Sequence, residues 1–138
     1  MEKPSVLQSF FMLIGRICIA AIFILAGINK IMGFDASLAY MTAHNIPYTH
    51  FLLVLAIICE LGAGILLFVG WFTRFAAFIL ILFIIATTFI FHAFWNYEAA
   101  QAVSQMQHFL KNAAIIGGLF YIMSLGAGRI SFDGGRRY

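Results

Sequence analysis

The sequence predicts an all-α membrane protein, an antiparallel bundle of four transmembrane helices with short interfacial helices at one end. Three observations carry this. Of the 138 residues 64% are hydrophobic and 9% charged, whereas a soluble domain is about half apolar and about one-quarter charged. That is more apolar surface than so small a core can hide. The apolar residues fall into four runs, each long enough to cross the hydrocarbon layer, which takes about 20 residues as helix. The runs are continuous rather than alternating, so a closed barrel is excluded and helices must satisfy the backbone.

The first run covers residues 7–31 and is interrupted by Arg16, Asn29 and Lys30. The second covers 48–69, with Glu60 near its middle. The third covers 75–94 and contains Thr87, Thr88 and His92. The fourth covers 109–125, with Lys111 and Asn112 in its first turn. Together they leave no room for a second domain, so 1–138 reads as one unit. The first run is too long for the apolar part of a signal peptide and is expected to be a retained span.

Orientation is read from the short connections. Arg74 follows the turn Gly70-Trp71-Phe72-Thr73, Lys3 precedes the first span, and Arg129, Arg136 and Arg137 follow the fourth. With four spans these all fall on one side, and the other side holds Lys30 and Lys111, offset by Asp35 and Glu98. The charge bias places both termini in the cytoplasm. The formal charge of +3 follows from topology. No basic face or motif for nucleic acid accompanies it.

Two shorter elements are expected outside. Asp35 is placed to cap a short helix through Leu38 and Met41 that stops near Asn45 and Pro47. Residues 97–107 set Ala99, Ala102, Val103 and Met106 on one face, the pattern of an interfacial helix or of an extension of the third span. The tail after Gly126 reads as the soluble segment.

Ionisable residues inside a span are costly and normally face protein. Arg16 and Glu60 each lie about 14 Å from the same side, counting 1.5 Å per residue from the start or end of their runs. The sequence therefore predicts an intramembrane ion pair between them. Arg16, Ala20, Phe23, Gly27 and Lys30 share one stripe of the first helix; Ala56, Glu60 and Gly64 share one of the second. Small residues at such seams let backbones approach. The pair reads either as a clasp between two helices or, with Glu60 carrying a proton or contacting a ligand, as part of a pathway. Cys18 points away from the Arg16 stripe, so a bond to Cys59 is not expected, and both cysteines read as small apolar residues. The four histidines lack metal-ligand spacing, and no metal is predicted.

A second group gathers at the outer end. Asn29 and Lys30 end the first span, Thr88, His92 and Trp95 form a stripe ending the third, and His108, Lys111 and Asn112 open the fourth. Lys30, His92, Trp95, Lys111 and Asn112 are the predicted ligand-binding set. Cations and N–H donors suit the oxygens of a quinone head or a small anion, and an aromatic ring suits a planar one.

Taken in order, the motifs resemble those of the DoxX family of small bacterial membrane proteins. Arg16 through Phe23, then Gly27-Ile28-Asn29-Lys30-Ile31-Met32-Gly33-Phe34, is similar to its opening. Glu60-Leu61-Gly62-Ala63-Gly64 and Gly70-Trp71-Phe72-Thr73-Arg74 are similar to its acidic-glycine segment and its turn. His92 to Trp95, Lys111-Asn112 and Gly126-Ala127-Gly128-Arg129-Ile130-Ser131-Phe132-Asp133 match its later signatures. The resemblance runs from about Arg16 to Asp133 and implies a four-helix bundle in the bacterial inner membrane. Some relatives are described as the membrane subunit of a thiosulfate:quinone oxidoreductase, others as partners in thiol or oxidative-stress complexes. The resemblance thus implies a quinone or similar amphiphile as ligand, and a redox partner protein or a second copy beside the lipid bilayer. With no cysteine pair placed for redox chemistry, the chain is expected to serve such a complex rather than to catalyse alone. Two other readings stand beside this one: a structural membrane partner without ligand, and a small proton-coupled transporter.

Overall fold

A computed structural model describes residues 4–134. The described residues form five α-helices, α1 (Val6–Met32), α2 (Phe34–Ala43), α3 (Thr49–Val69), α4 (Thr73–Phe91) and α5 (Ala99–Leu125), with a 3-10 turn at Phe94–Asn96. α1, α3, α4 and α5 are long and apolar enough to cross a membrane. Each packs on two of the others in the cyclic order α1, α3, α4, α5, and diagonal pairs do not touch. Ser5 starts α1 through a capping box, its hydroxyl accepting from Gln8 N while Gln8 Oε1 accepts from Ser5 N, so two of the orphan N–H groups at the helix start are satisfied.

Small residues set the seam between α1 and α3. A Cβ on Gly27 would stand 2.6 Å from Leu61 Cγ, and one on Gly64 would stand 3.1 Å from Ile24 Cγ1. Ala20, Ala63, Ala76 and Ala77 are buried between the helices with Leu67, Leu80 and Leu119, an arrangement that gains dispersion contact where lipid offers no hydrophobic drive between helices. Phe10, Leu25, Ile58, Phe75, Leu82 and Phe120 face outward, into what would be hydrocarbon.

The start of α1, the end of α5 and the α3–α4 turn lie at one end of the bundle, called here the terminal end. The tail after Gly126 is not a free soluble segment. It returns across the mouth of the bundle: Arg129 N donates to Ser9 Oγ, Phe132 N to Val69 O and Asp133 N to Gly70 O. The Asp133 carboxylate then accepts from Phe72 N (3.0 Å) and Thr73 N (2.9 Å), capping α4 from a distance of 60 residues. Gly70 turns the corner at φ +72°, a region that L side chains disfavour. Arg74 and Arg129 sit at this end; Lys3, Arg136 and Arg137 lie outside the described residues.

At the opposite end α2 lies over the bundle. Asp35 does not cap it. Gly33 is the N-cap, and Asp35 stands inside the first turn, where its charge still favours the helix dipole. The helix stops at Ala43 before Asn45, which adopts φ +55°. Residues 99–107 form neither a separate interfacial helix nor an extension of the third span. They continue unbroken into the fourth, because no glycine or proline interrupts 99–116.

Candidate functional site

The predicted Arg16–Glu60 pair does not form. Gly27 rests on Leu61, Gly64 on Ile24, and Gly70 comes up against Arg16. In that antiparallel register Glu60 falls beside the Gly27–Lys30 turn of α1, and Arg16 falls at the far end of α3. The equal-depth count assumed that both helices leave the bundle at one level, whereas α1 runs on for more than two turns below Arg16. Glu60 instead meets Lys30. The ammonium lies 2.9 Å from each carboxylate oxygen, with an aligned hydrogen bond to Oε1.

Arg16 is 2% exposed and belongs to the closed terminal end. Its guanidinium donates to Ala127 O (2.7 Å) and Ile130 O (3.0 Å). It thereby holds the returning tail against α1 and supplies charged donors to two of the tail's carbonyls, that of Ala127 in a buried bond.

The opposite end is hollow. A cavity of about 880 Å³ opens between α1, α3, α4 and α5 beneath α2, within the size range of small-molecule sites, about 300–1,000 Å³. Lys30, His92, Lys111 and Asn112 line it, as the sequence grouped them, and so do Glu60, His108 and Asn29. Ile22, Phe23, Leu52, Leu53, Phe83 and Ile84 form apolar walls. Trp95 is not among the lining residues. α4 ends at His92, and the 3-10 turn carries the indole out to Phe89, Phe94 and Phe109, leaving it 55% exposed.

Each polar group of the rim is oriented by a partner. Asn112 Nδ2 donates to Thr88 Oγ1 at 2.8 Å, joining α5 to α4 and satisfying a buried hydroxyl. His92 Nδ1 meets Gln105 Oε1 at 2.8 Å; a carbonyl oxygen only accepts, so Nδ1 carries the hydrogen and Nε2 the lone pair. Lys111 has only hydrogens to give, so His108 Nδ1, 3.3 Å away, accepts, and in the neutral ring Nε2 bears the hydrogen. These roles follow from the network with the Gln105 amide placed as it stands. The two imidazoles stack, with centroids 5.0 Å apart and planes 22° apart.

A cover closes part of the mouth. Tyr40 of α2 packs on Phe91 (5.4 Å) and on His44 (4.4 Å). Tyr97 OH donates to Phe91 O and lies 3.3 Å from His44 Nε2. The sequence reading expected a short outer helix here as a cap but not the aromatic contacts that seat it, nor the part Gln105 plays. A signal for Glu60's true partner was present, since Lys30 shares the stripe of Arg16 and offers a second cation to the same carboxylate. Cys18 and Cys59 are free, and Cys59 lines the cavity.

The DoxX family model matches residues 11–93. The chain is 34% identical over 122 residues to the inner membrane protein YphA of Escherichia coli K12, covering 88% of this chain and 87% of that one. It is 35% identical over 127 residues to the inner membrane protein YqjF of the same organism, covering 92% of each. No solved structure matches it.

Proposed function

The chain belongs to the DoxX family, and from that premise and the shape of its hollow end we propose that it binds a small amphiphile in the inner membrane. The observation that carries this is the cavity itself: apolar walls for a tail, with Lys30, Glu60, His92, His108, Lys111 and Asn112 converging on one polar region for a head. An apolar pocket with a few oriented polar groups is the general form of a small-molecule site. The donors of the rim suit an oxygen-bearing head, of which a quinone is one. Bound amphiphile then serves a redox or stress-response complex through a partner protein, because neither cysteine has a thiol neighbour with which to carry electrons.

The orientation proposed is both termini in the cytoplasm. It is supported by Arg74 and Arg129 at the terminal end and by the further basic residues of the flanks. Reporter fusions at the two termini and in the 92–98 segment test it.

The binding reading is tested by native mass spectrometry of gently solubilised protein, with lipid extraction of the same sample. The expected result is a stoichiometric amphiphile that is lost when Ala56, a small lining residue, is replaced by Trp to fill the cavity. A clean apo mass, together with no uptake of added decylubiquinone or a plain long-chain alcohol, refutes it and leaves the structural-partner reading.

A further inference from the structure

The charged groups of the cavity do not balance. Three fully charged side chains line it, Lys30, Glu60 and Lys111. Lys30 and Glu60 stand 2.9 Å apart and neutralise one another. Lys111 has no such partner. Its ammonium meets only the Nδ1 of His108 at 3.3 Å, and among the described residues no carboxylate lies within ion-pair distance of it.

Lys111 is exposed at the edge of the cavity it helps to line, so its ammonium is open to an incoming head. Lys111 sits on the α5 turn that also carries Asn112, and Asn112 is bonded inward to Thr88. Lys111 keeps further N–H bonds to give, and His108, its Nδ1 occupied by Lys111, presents Nε2–H. Trp95, which the sequence grouped with these residues, lies outside the cavity.

We infer that the cavity takes an anionic single-chain amphiphile, a fatty-acid-like carboxylate, with its head on Lys111 and His108 and its tail along Phe83, Ile84 and Ile22. The inference rests on the amphiphile reading above and names the head that reading left open. Charge-assisted hydrogen bonds are about twice as strong as neutral ones, so an ionised head gains at this position what a hydroxyl of the same tail does not. The Lys30–Glu60 pair below it stays closed on itself and does not contribute net charge.

The test uses two probes that differ only in the head, dodecanoate and dodecan-1-ol, bound to the full chain in phosphatidylcholine nanodiscs at mildly alkaline pH. The expected result is dodecanoate held about tenfold more tightly than the alcohol, the equivalent of one good charged contact. Lys111→Gln should bring the two probes within about twofold of each other, and Lys111→Arg should keep the preference. Equal affinities in the unsubstituted protein overturn the inference while leaving the amphiphile reading intact, and so does a preference that survives Lys111→Gln. If neither probe binds, the amphiphile reading itself falls. Displacement of dodecanoate by added phosphatidylglycerol assigns the anion site to a bilayer phospholipid and overturns the single-chain ligand. A thermal melt of each variant separates lost binding from lost fold.

Discussion

Whether Glu60 answers to Lys30 or to Arg16 can be decided by a double-mutant cycle. The perturbations are Lys30→Met, Arg16→Met, Glu60→Gln and the two pairwise combinations with Glu60→Gln. The Glu60 side chain is 6% exposed and that of Lys30 is 30% exposed. Breaking a wholly buried pair costs about 3–5 kcal/mol and an exposed one about 0.2–1 kcal/mol. With one partner deeply buried and the other partly wet, a coupling of about 1–3 kcal/mol is expected between Lys30 and Glu60. Arg16 is 14 residues from Lys30 along α1, about 21 Å at 1.5 Å per residue. Sites that distant add to within about 0.5 kcal/mol. Arg16→Met should still be costly alone, by about 3 kcal/mol, because two tail carbonyls lose charged donors. Reversible unfolding in mixed micelles, titrated with sodium dodecyl sulfate, supplies the free energies. A coupling between Arg16 and Glu60 as large as that between Lys30 and Glu60 would refute the register on which the whole site description stands.

The terminal end offers two further checks and the hollow end one. Asp133→Ala should lose about 1 kcal/mol, the usual effect of removing an N-cap carboxylate, since Phe72 N and Thr73 N both depend on it; the same unfolding titration reads it. Gly70→Ala should cost about 1–3 kcal/mol, for the residue sits at φ +72° and a Cβ there would lie 2.5 Å from Arg16 Nη1. A Cβ there would also lie 2.5 Å from Ser131 Cβ, so the Arg16→Met background should relieve only part of the loss, and no relief at all would refute the Arg16 contact. Trp95→Phe should leave probe binding unchanged to within about twofold, as the indole is outside the cavity; a larger drop in native mass spectrometry would return Trp95 to the site.

The spans were legible because length and apolarity alone define them: α1, α3 and α4 begin and end within about three residues of the expected runs, whereas α5 starts ten residues before its run. The seam was legible too. Arg16, Ala20, Phe23 and Gly27 are buried on α1, and Glu60 and Gly64 on α3, as their spacing required. What the sequence left open was the register between those seams. Apolar boundaries mark where a helix enters lipid, but α1 begins well before the level at which α3 ends. The hidden quantity was therefore a vertical offset, set by which glycine meets which side chain. Trp95 failed for a different reason. Its place on the Thr88–His92 stripe assumed that the α-helix continues, and α4 stops at His92 (φ −125°, ψ 27°). The returning tail was illegible because glycine-rich polar sequence reads alike whether it is free or folded back. Only the partners, Arg16 guanidinium and the α4 amides, give it a position. By contrast Lys30, His92, Lys111 and Asn112 came together as read, since each lies at the same end of a span.

The placement of buried polarity separates binding from transport. At the terminal end the buried polar residues are Ser9, Arg16 and Thr73; around the cavity they are Glu60 and Thr88. Between the two groups lie Ala20, Ala63, Leu67, Ala77, Leu80 and Leu119, all buried and all apolar. A proton or polar solute that reached Glu60 would have to cross this layer without a hydrogen-bonding group, and would then meet a mouth sealed by the tail and held by Arg16. Dry apolar packing of that kind opposes charge movement strongly, because an ion without partners there has the full cost of desolvation. The hollow therefore has one polar region and one closed floor. One helix carries both cations of the stripe, and they serve opposite ends: Arg16 holds the returning tail at the floor, and Lys30, about four turns higher by the helical rise, pairs with the Glu60 carboxylate.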